Sequence, residues 1–344
     1  MKLVIVDELK EGMILGEDIV GKYSILYASK GTILNKNIID GIKRLGIKYI
    51  YVIKNKDDDD VLLVDKKLDK EYRRTLDYFK NVYFNVKIGK KIVVDELQEV
   101  VQPLVNEVKN SINILNRLKQ MEINDLYTYK HSINVCVIST MIGKWMNFSQ
   151  NELNEIAIAG LFHDIGKSKI PNEILNKAGK LTKEEFEVMK SHTLEGYKIL
   201  KNTDCISDDI AYGALQHHER IDGKGYPNGL KNDQIHIYAK IISIADIYDA
   251  MTSNRVYRNK TSPFKVAELI FNDSFGHLDP HIANLFLKGI SQFYVGNIVK
   301  LNNGEVGEVI LVNKNNPTRP LVKVKDKYID LSKNYSFEIT DVIL

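Results

Sequence analysis

Histidine and aspartate residues recur through the middle of the chain at positions that suit the binding of metal ions. The strongest local pattern is His163-Asp164, which follows the apolar run Ile156–Phe162 and precedes a turn at Gly166. A carboxylate has two oxygens, so Asp164 could bridge two ions while each ion draws imidazoles from other helices. The other candidate ligands lie in separate segments: His131, His192, His217, His218 and Asp246.

A carboxylate within an apolar helical segment is a further sign of a metal site. Asp246 lies in the run Ile241–Tyr248, where a charged side chain is costly to bury without a cation or a hydrogen-bond donor. Asp249, one helical turn after Asp246, is predicted to support Asp246 through hydrogen bonds next to the metal site. A single histidine on a helix is usually a core or surface residue, but seven ligand-type side chains on five predicted helices favour a shared centre.

The segments that carry these residues have the apolar periodicity of helices, which begins near residue 65. Thr182 and Glu185 predict a capping box, and Ser262-Pro263 predicts an N-cap followed by proline in the first turn. The predicted helices cover 66–86, 95–119, 124–146, 151–164, 182–201, 207–217, 236–252 and 263–272.

Both ends of the chain differ from this helical body. Near the N-terminus, strand-like runs at Leu3–Val6 and Ile47–Ile53 flank a helical segment at Asn37–Leu45, and the charged run Lys54–Asp60 is predicted to be a linker or exposed loop. The tail has β-type runs that predict a small β-barrel or meander: Ile298–Leu301, Val306–Val312, Leu321–Val324 and Tyr328–Leu331. The fold is therefore predicted to be mainly α, with a small α/β leader at 1–60, a helical region at 61–294 and a small β domain at 295–344.

The composition is that of a folded protein with reduced cysteines. The 344 residues are 44% hydrophobic and 27% charged, and the net charge of +3 does not favour a nucleic-acid polymer as partner. No apolar run is long enough to predict a membrane span, and the N-terminus lacks a signal-peptide pattern. Cys136 and Cys205 are not closely spaced, so we expect two buried, reduced thiols in a cytoplasmic protein.

Three sequence blocks resemble the HD-GYP family of metal-dependent phosphohydrolases. His163–Lys167 (HDIGK) and His217–Pro227 (HHERIDGKGYP) are similar to its two defining motifs, and Ala245–Arg255 (ADIYDAMTSNR) resembles its third block. The blocks occur in the family's order, and the similarity covers roughly residues 110–290. The resemblance implies a helical HD-type fold that hydrolyses cyclic di-GMP to linear pGpG, with GMP as a candidate further product.

The resemblance also implies how the metal ligands divide between two divalent ions, with iron and manganese as the favoured metals. The implied ligands of the first ion are His131, His163, Asp164 and Asp246. The implied ligands of the second ion are Asp164, His192, His217 and His218. Tyr127 stands where some members place a glutamate that helps to hold a third ion, and Asp125 is wrongly spaced to replace it.

Other motif positions are expected to act on the substrate. Lys167 is the candidate catalytic cation, working with Asp164 beside the phosphate. The glycine-rich loop Asp222–Gly229 permits a ligand to approach the backbone closely. The predicted substrate-binding residues are Arg255, Arg258, Tyr226 and Asp249, and the arginines suit phosphate oxygens.

The expected ligand is cyclic di-GMP, and two protein partners are candidates. One is a second copy of the chain joined through the helices at 66–119, and the other is a signalling protein that docks on the glycine-rich loop. Two other functions remain open: an HD phosphohydrolase that acts on another nucleotide or cyclic dinucleotide, and a catalytically weak cyclic di-GMP sensor or scaffold. The intact Lys167 and the complete ligand set favour the enzyme.

Overall fold

The computed structural model describes residues 2–11, 13–20, 26–28, 32, 34–53, 57–111, 114–115, 118, 127–253, 261–274, 276–313, 315–325 and 327–343. The chain forms two compact units. One contains residues 1–66 together with 294–344, and the other contains residues 67–293. The structure thus groups the two flanking segments, while the boundaries proposed from sequence at 60 and 294 stay predictions about functional domains.

The N-terminal part of the first unit is built from short antiparallel strands and one helix. β1 and β2 both pair with β5, and β3 pairs with β4. The Asn35 side chain caps the helix by accepting a hydrogen bond from the Ile38 amide. The elements are β1 (Lys2–Ile5), β2 (Ile14–Leu15), β3 (Ile19–Val20), β4 (Leu26–Ala28), α1 (Lys36–Arg44) and β5 (Tyr49–Ile53).

The C-terminal part of the same unit is a five-stranded antiparallel sheet in the order β10-β6-β7-β8-β9. Its strands are β6 (Ile298–Leu301), β7 (Val306–Asn313), β8 (Asn316–Val324), β9 (Lys327–Asp330) and β10 (Ile339–Ile343). Four of them were predicted from alternating apolar residues, whereas β10, which pairs with β6, was not. Lys323 of this sheet donates a hydrogen bond to Glu8, at 2.8 Å, and so links the two parts of the unit.

The second unit is helical. Its elements, including α2, which starts before the unit boundary, are α2 (Asp57–Lys87), α3 (Val94–Asn110), α4 (Tyr127–Trp145), α5 (Gln150–Phe162), a short 3-10 helix (Ile165–Lys169), α6 (Asn172–Leu175), α7 (Lys183–Lys190), α8 (His192–Lys201), α9 (Asp208–Gln216), α10 (Ile237–Thr252), α11 (Pro263–Asp273) and α12 (Pro280–Phe293). The mainly α fold class with small α/β and β flanks is confirmed.

The core of this unit surrounds α4, in which every residue from His131 to Gly143 is buried. A helix that is covered on all sides reads as apolar around its whole circumference. α5 packs closely against it at Gly160, where an added Cβ would lie 3.0 Å from Cys136 Cα. The chain therefore carries the metal-ligand candidates of both helices on rigid, buried elements.

The charged run before α2 corrects one prediction. Residues Lys54–Asp60 were predicted to form a linker or loop, but Asp57–Asp60 are the first turn of α2. Negative charge at a helix N-terminus is favourable because the free amides and the helix dipole are positive there. The absence of apolar residues, which suggested a loop, is thus compatible with a helix start.

Three further differences concern helix boundaries. The segment predicted as one helix at 182–201 is two helices, α7 and α8, which meet at Ser191. The predicted Thr182–Glu185 capping box is present at the start of α7. Helix α12 and the short helices between 165 and 175 were not predicted.

In the part of the chain that the structure describes, no helix is both long and apolar enough to cross a membrane.

The two thiols and the aromatic stretch Tyr72–Phe84 of α2 differ in how far they are buried. Cys136 is buried as expected, but Cys205 is exposed, and both are free thiols. In the aromatic stretch, Tyr72, Phe79 and Tyr83 are buried while Phe84 is exposed. Phe79 packs against Phe162, the last residue of α5, with ring centroids 5.7 Å apart. The stretch is therefore a packing face of α2.

Candidate metal centre

Three of the five candidate histidines lie where helices begin or end. His163 and His217 are the residues that terminate α5 and α9, and His192 opens α8 immediately after α7 ends. The last carbonyls of a helix have no intrahelical partner, so they are free to accept hydrogen bonds from side chains. These positions give each imidazole a fixed backbone acceptor close by.

Three imidazoles use such carbonyls in the same way. Nδ1 of His163 lies 2.8 Å from the Gly160 carbonyl, Nδ1 of His192 lies 2.7 Å from that of Met189, and Nδ1 of His217 lies 2.9 Å from that of Ala214. A carbonyl can only accept, so each Nδ1 carries the proton and donates. Each Nε2 therefore keeps its lone pair for another partner, which is the arrangement found in histidine metal ligands.

Asp164 lies between two groups of imidazoles. Its Oδ2 is 3.3 Å from His163 Nε2 and 3.8 Å from His131 Nε2. Its Oδ1 is 3.3 Å from His192 Nε2 and 3.8 Å from His217 Nε2. Each carboxylate oxygen thus faces a different pair of histidines, as a bridging ligand would.

The remaining candidates complete the two groups. Asp246 Oδ1 lies 3.1 Å from His131 Nε2. One ligand atom from each of Asp164, His192, His217 and His218 falls within 4.8 Å of the others, and the same holds for His131, His163 and Asp164. The structure therefore brings together all seven residues that the motifs singled out.

A test of fit comes from buried atoms that lack hydrogen bonds. Among the described residues, His163 Nε2 and Asp164 Oδ1 are both buried without a hydrogen-bond partner. A buried polar atom without a partner costs free energy, and a cation in each of the two groups of ligands would offset that cost, one at His163 Nε2 and the other at Asp164 Oδ1. The donor set, imidazole and carboxylate without thiolate, also fits a divalent transition metal.

The protonation states suit metal binding. Burial lowers the pKa of His192 to about 4 and that of His218 to about 3, and it lowers the pKa of His217 well below the ordinary value. These rings are therefore neutral at pH 7, as metal ligands must be. Burial opposes ionisation of Asp164, but Lys167 and His163 hold its pKa well below the usual range.

His131 has a different environment from His192, His217 and His218. Burial disfavours its charged form, but hydrogen bonds to Asp246 and Asp249 prevail and raise the pKa of His131 to about 10. Its Nδ1 lies 2.7 Å from Asp249 Oδ2, and the other oxygen of Asp249 accepts from the Asn134 amide at 2.7 Å. Asp249 is buried behind His131, so the position observed is that of a ligand-orienting carboxylate.

Lys167 reaches back to the centre from the short 3-10 helix after Asp164. Its ammonium group donates a hydrogen bond to Asp164 Oδ2, and its side chain is a quarter exposed. The turn is tightly packed at Gly166, where an added Cβ would overlap the His192 carbonyl and the Gly196 amide. The HDIGK block thus places a candidate ligand (Asp164) and a cation (Lys167) in one turn, and Gly166 lets α8 pack closely against that turn.

The loop after His218 forms one wall of the centre. Tyr226 stacks on His218, with ring centroids 4.7 Å apart and an interplanar angle of 30°. Phe186 of α7 meets Tyr226 edge-on, and Lys190 Nζ lies 5.7 Å from the Tyr226 ring centroid. An aromatic face and a cation therefore lie beside the histidines.

Glu219 organises this loop, a role that the sequence did not reveal. Its buried carboxylate accepts hydrogen bonds from the Asn228 amide at 2.8 Å and from the Leu230 amide at 2.9 Å. Gly225 packs against the backbone of Glu219 and Arg220 so closely that an added Cβ would overlap both. Glu219 is part of the motif His217–Pro227, but the sequence does not show which backbone amides its carboxylate binds.

Some predicted positions lie outside the described residues. Arg255, Arg258 and Asp125 belong to the stretches that the structure does not describe, and the same is true of the Tyr127 side chain, although its backbone begins α4. Their assigned roles remain predictions.

Comparison with known families agrees with this geometry. Residues 99–282, more than half of the chain, match the HD domain, and residues 298–343 match a KOW domain associated with HD domain. The chain belongs to the HD domain family. This confirms the relationship that the motifs predicted.

Two curated relatives are named for their activity. The chain is 34% identical over 246 residues to "Cyclic di-GMP phosphodiesterase PA4108" of Pseudomonas aeruginosa, covering 71% of this chain and 59% of the relative. It is 42% identical over 179 residues to "Cyclic di-GMP phosphodiesterase" of Thermotoga maritima, covering 52% of this chain and 48% of the relative. The matched region spans about half of these relatives' length.

A solved structure supports the fold. Bd1817, described as an HDG"Y"P protein from Bdellovibrio bacteriovorus, superimposes with a TM-score of 0.53 at 16% identity and covers 83% of this chain and 97% of that one. At this identity the likeness shows the fold alone.

Proposed function

We propose that the protein is a metal-dependent phosphodiesterase that hydrolyses cyclic di-GMP to linear pGpG, with GMP as the product of a second cleavage. The observation that carries the proposal is the position of Asp164, whose two oxygens face two separate groups of histidines. A carboxylate shared in this way suits two ions acting on one phosphate.

The proposed centre holds two divalent ions, and iron and manganese suit its donor set best. His131, His163, Asp164 and Asp246 would hold the first ion, and Asp164, His192, His217 and His218 would hold the second. When bound, such ions lower the pKa of a coordinated water and offset negative charge on phosphate oxygens.

The chain's own residues would orient the phosphate and balance its charge. Lys167 keeps its ammonium beside Asp164, so it would supply a positive charge for the phosphate of a substrate bound at the centre. The Tyr226 ring, which stacks on His218, is proposed to give the substrate a flat aromatic contact. Arg255 and Arg258 are proposed to pair with phosphate oxygens, which their planar guanidinium groups fit.

The substrate is proposed from the names of the relatives and from the motifs. Both relatives reported above are named cyclic di-GMP phosphodiesterases. A second candidate is a sensor that binds cyclic di-GMP with little turnover, since Tyr127 replaces a glutamate that some members use. Another cyclic dinucleotide is the alternative substrate.

The deciding experiment is a turnover assay on protein loaded with Mn²⁺ or Fe²⁺. Cyclic di-GMP, other cyclic dinucleotides and linear pGpG are compared, with product identified by chromatography. We expect hydrolysis of cyclic di-GMP and its loss in a His163→Ala, Asp164→Ala variant together with the bound metal. Fully metallated protein that hydrolyses none of these compounds would refute the enzyme, and binding without turnover would establish the sensor.

We further propose a cytoplasmic location, in keeping with the two free thiols. A homodimer and a protein partner on the glycine-rich loop stay predictions. Light scattering of the purified chain tests the first, and a pull-down with a loop variant tests the second.

A further inference from the structure

A chain of buried hydrogen bonds leads from helix α2 to the metal centre. The Tyr72 hydroxyl donates to the Asn134 side-chain oxygen at 2.9 Å, and the Asn134 amide nitrogen donates to Asp249 Oδ1 at 2.7 Å. Asp249 Oδ2 lies 2.7 Å from His131 Nδ1. All four side chains are buried, with exposures between 1% and 6%.

The chemistry of the four groups fixes the direction of every bond. A carboxylate only accepts, so the Asn134 amide must turn its NH2 group toward Asp249 and its oxygen toward Tyr72. The same carboxylate makes His131 donate from Nδ1, so Nε2, which faces Asp164 and Asp246, is the nitrogen that carries the lone pair whenever the ring is neutral, as a metal ligand must be. One wrongly oriented member would leave two donors or two acceptors in contact.

We propose that Tyr72 and Asn134 are positioning residues for His131, so that α2 forms part of the metal centre. This inference rests on the proposed metal-binding function. Tyr72 lies upstream of residues 99–282, which match the HD domain, so the role belongs to a segment that the family match does not cover. Through Asn134, the Tyr72 hydroxyl holds the Asp249 carboxylate in place, and that carboxylate sets the tautomer and ring plane of His131.

The competing explanation is that Tyr72 only packs. Its ring shares a buried face of α2 with Phe79 and Tyr83, and a packing role would depend on the ring and not on the hydroxyl. Tyr72→Phe separates the two because it keeps the ring and removes the hydroxyl. Tyr78→Phe is the matched control, since Tyr78 is on the same helix and its hydroxyl donates to the Val93 carbonyl at 3.2 Å.

The experiment measures Mn²⁺ affinity by chelator competition for the full chain and both variants, together with thermal unfolding of each metal-free protein. Outer partners of a metal-bound histidine typically change affinity by about 10–100-fold, and a group two bonds further out should change it less. We expect Tyr72→Phe to lower the affinity for the first ion, which His131 would bind, by about threefold to tenfold. The affinity for the second ion should fall by less than about twofold. Tyr78→Phe should match the wild type.

Asn134→Ala provides a second variant that breaks the same chain nearer to His131. We expect it to lower the affinity for the same ion more than Tyr72→Phe does, by about 10–100-fold. Affinities of Tyr72→Phe equal to those of Tyr78→Phe, or an equal loss at both ions, would overturn the inference while leaving the proposed function intact. Wild-type protein that binds no Mn²⁺ or Fe²⁺ would remove the proposed function itself, and the inference with it.

Discussion

Lys167 donates a hydrogen bond to Oδ2 of Asp164, the oxygen that also faces His131 and His163. The ammonium therefore pairs with the carboxylate oxygen that faces the proposed ligands of the first ion, and the Lys167 side chain is partly exposed. A cation so placed can balance charge that develops on a phosphate, and it also keeps the pKa of Asp164 low.

Replacing this lysine should affect turnover more than metal binding. Lys167→Met keeps a long unbranched side chain, one atom shorter, and removes its charge, and we expect kcat for the proposed hydrolysis to fall about 100-fold to 1000-fold. Metal content should stay near that of the wild type because the proposed ligands are unchanged. Lys198→Met is the control, since Lys198 pairs with Glu195 at the same spacing on an exposed face. Unchanged kcat in Lys167→Met would contradict the role.

The loop that carries Tyr226 depends on Glu219. In Glu219→Gln, one of the two backbone donors, at Asn228 or Leu230, would face an amide nitrogen in place of an oxygen. An unsatisfied buried donor costs about 1–3 kcal/mol, so we expect a KM increase of about tenfold with the metals retained. Hydrogen exchange of residues 222–230 measures the loosening directly. If hydrogen exchange is faster but KM equals that of the wild type, the loop does not contribute to substrate binding.

Two glycines that face each other should respond differently to alanine. At Gly166 an added Cβ would overlap the backbone of α8 at His192, whereas at Gly196 the nearest atom would be the Gly166 nitrogen at an ordinary 3.4 Å. We expect Gly166→Ala to lower the free energy of unfolding by about 1–3 kcal/mol and to weaken metal binding at His192. Gly196→Ala, in a helix, should be tolerated. Chemical denaturation and metal analysis of both variants test this, and equal stabilities would refute the clash.

Metal removal should destabilise the helical unit. Folding brings neutral histidines and ionised carboxylates together, and an ion that binds only the folded state adds about 2.7 kcal/mol when present at 100 times its Kd. For a unit of this size that corresponds to a rise in Tm of about 5–10 °C on adding Mn²⁺. Mg²⁺, which prefers oxygen ligands, should have a much smaller effect. Identical melting curves with chelator and with Mn²⁺ would exclude a metal centre in the folded state.

Sequence reasoning was strongest where a residue's neighbours along the chain determine its structure. The Thr182–Glu185 capping box depends on two side chains three residues apart, and it is present as predicted. The His163-Asp164 pair was recognisable because the helix that carries it is apolar and ends there. The break at Ser191 was not predicted, because helical apolar spacing continues across it in the sequence.

Sequence reasoning failed where contacts join distant positions. Tyr72 and Asn134 are 62 residues apart, and neither belongs to a charged or glycine-rich pattern that would single it out. The Glu219 carboxylate was part of a motif, but its two acceptor bonds exist only once the loop has folded back over it. The aspartates at the start of α2 show the opposite error, since local composition alone suggested a loop.

The grouping of residues 1–66 with residues 294–344 has a consequence for protein engineering. The helical body is inserted into another unit, so it is entered and left through two junctions, one near 66 and one near 293. Cutting the chain at only one of them leaves an incomplete flanking unit and separates Glu8 from Lys323. A graft of the helical body therefore has two junctions, and the first cut belongs before Asp57 because α2 (Asp57–Lys87) continues across residue 66.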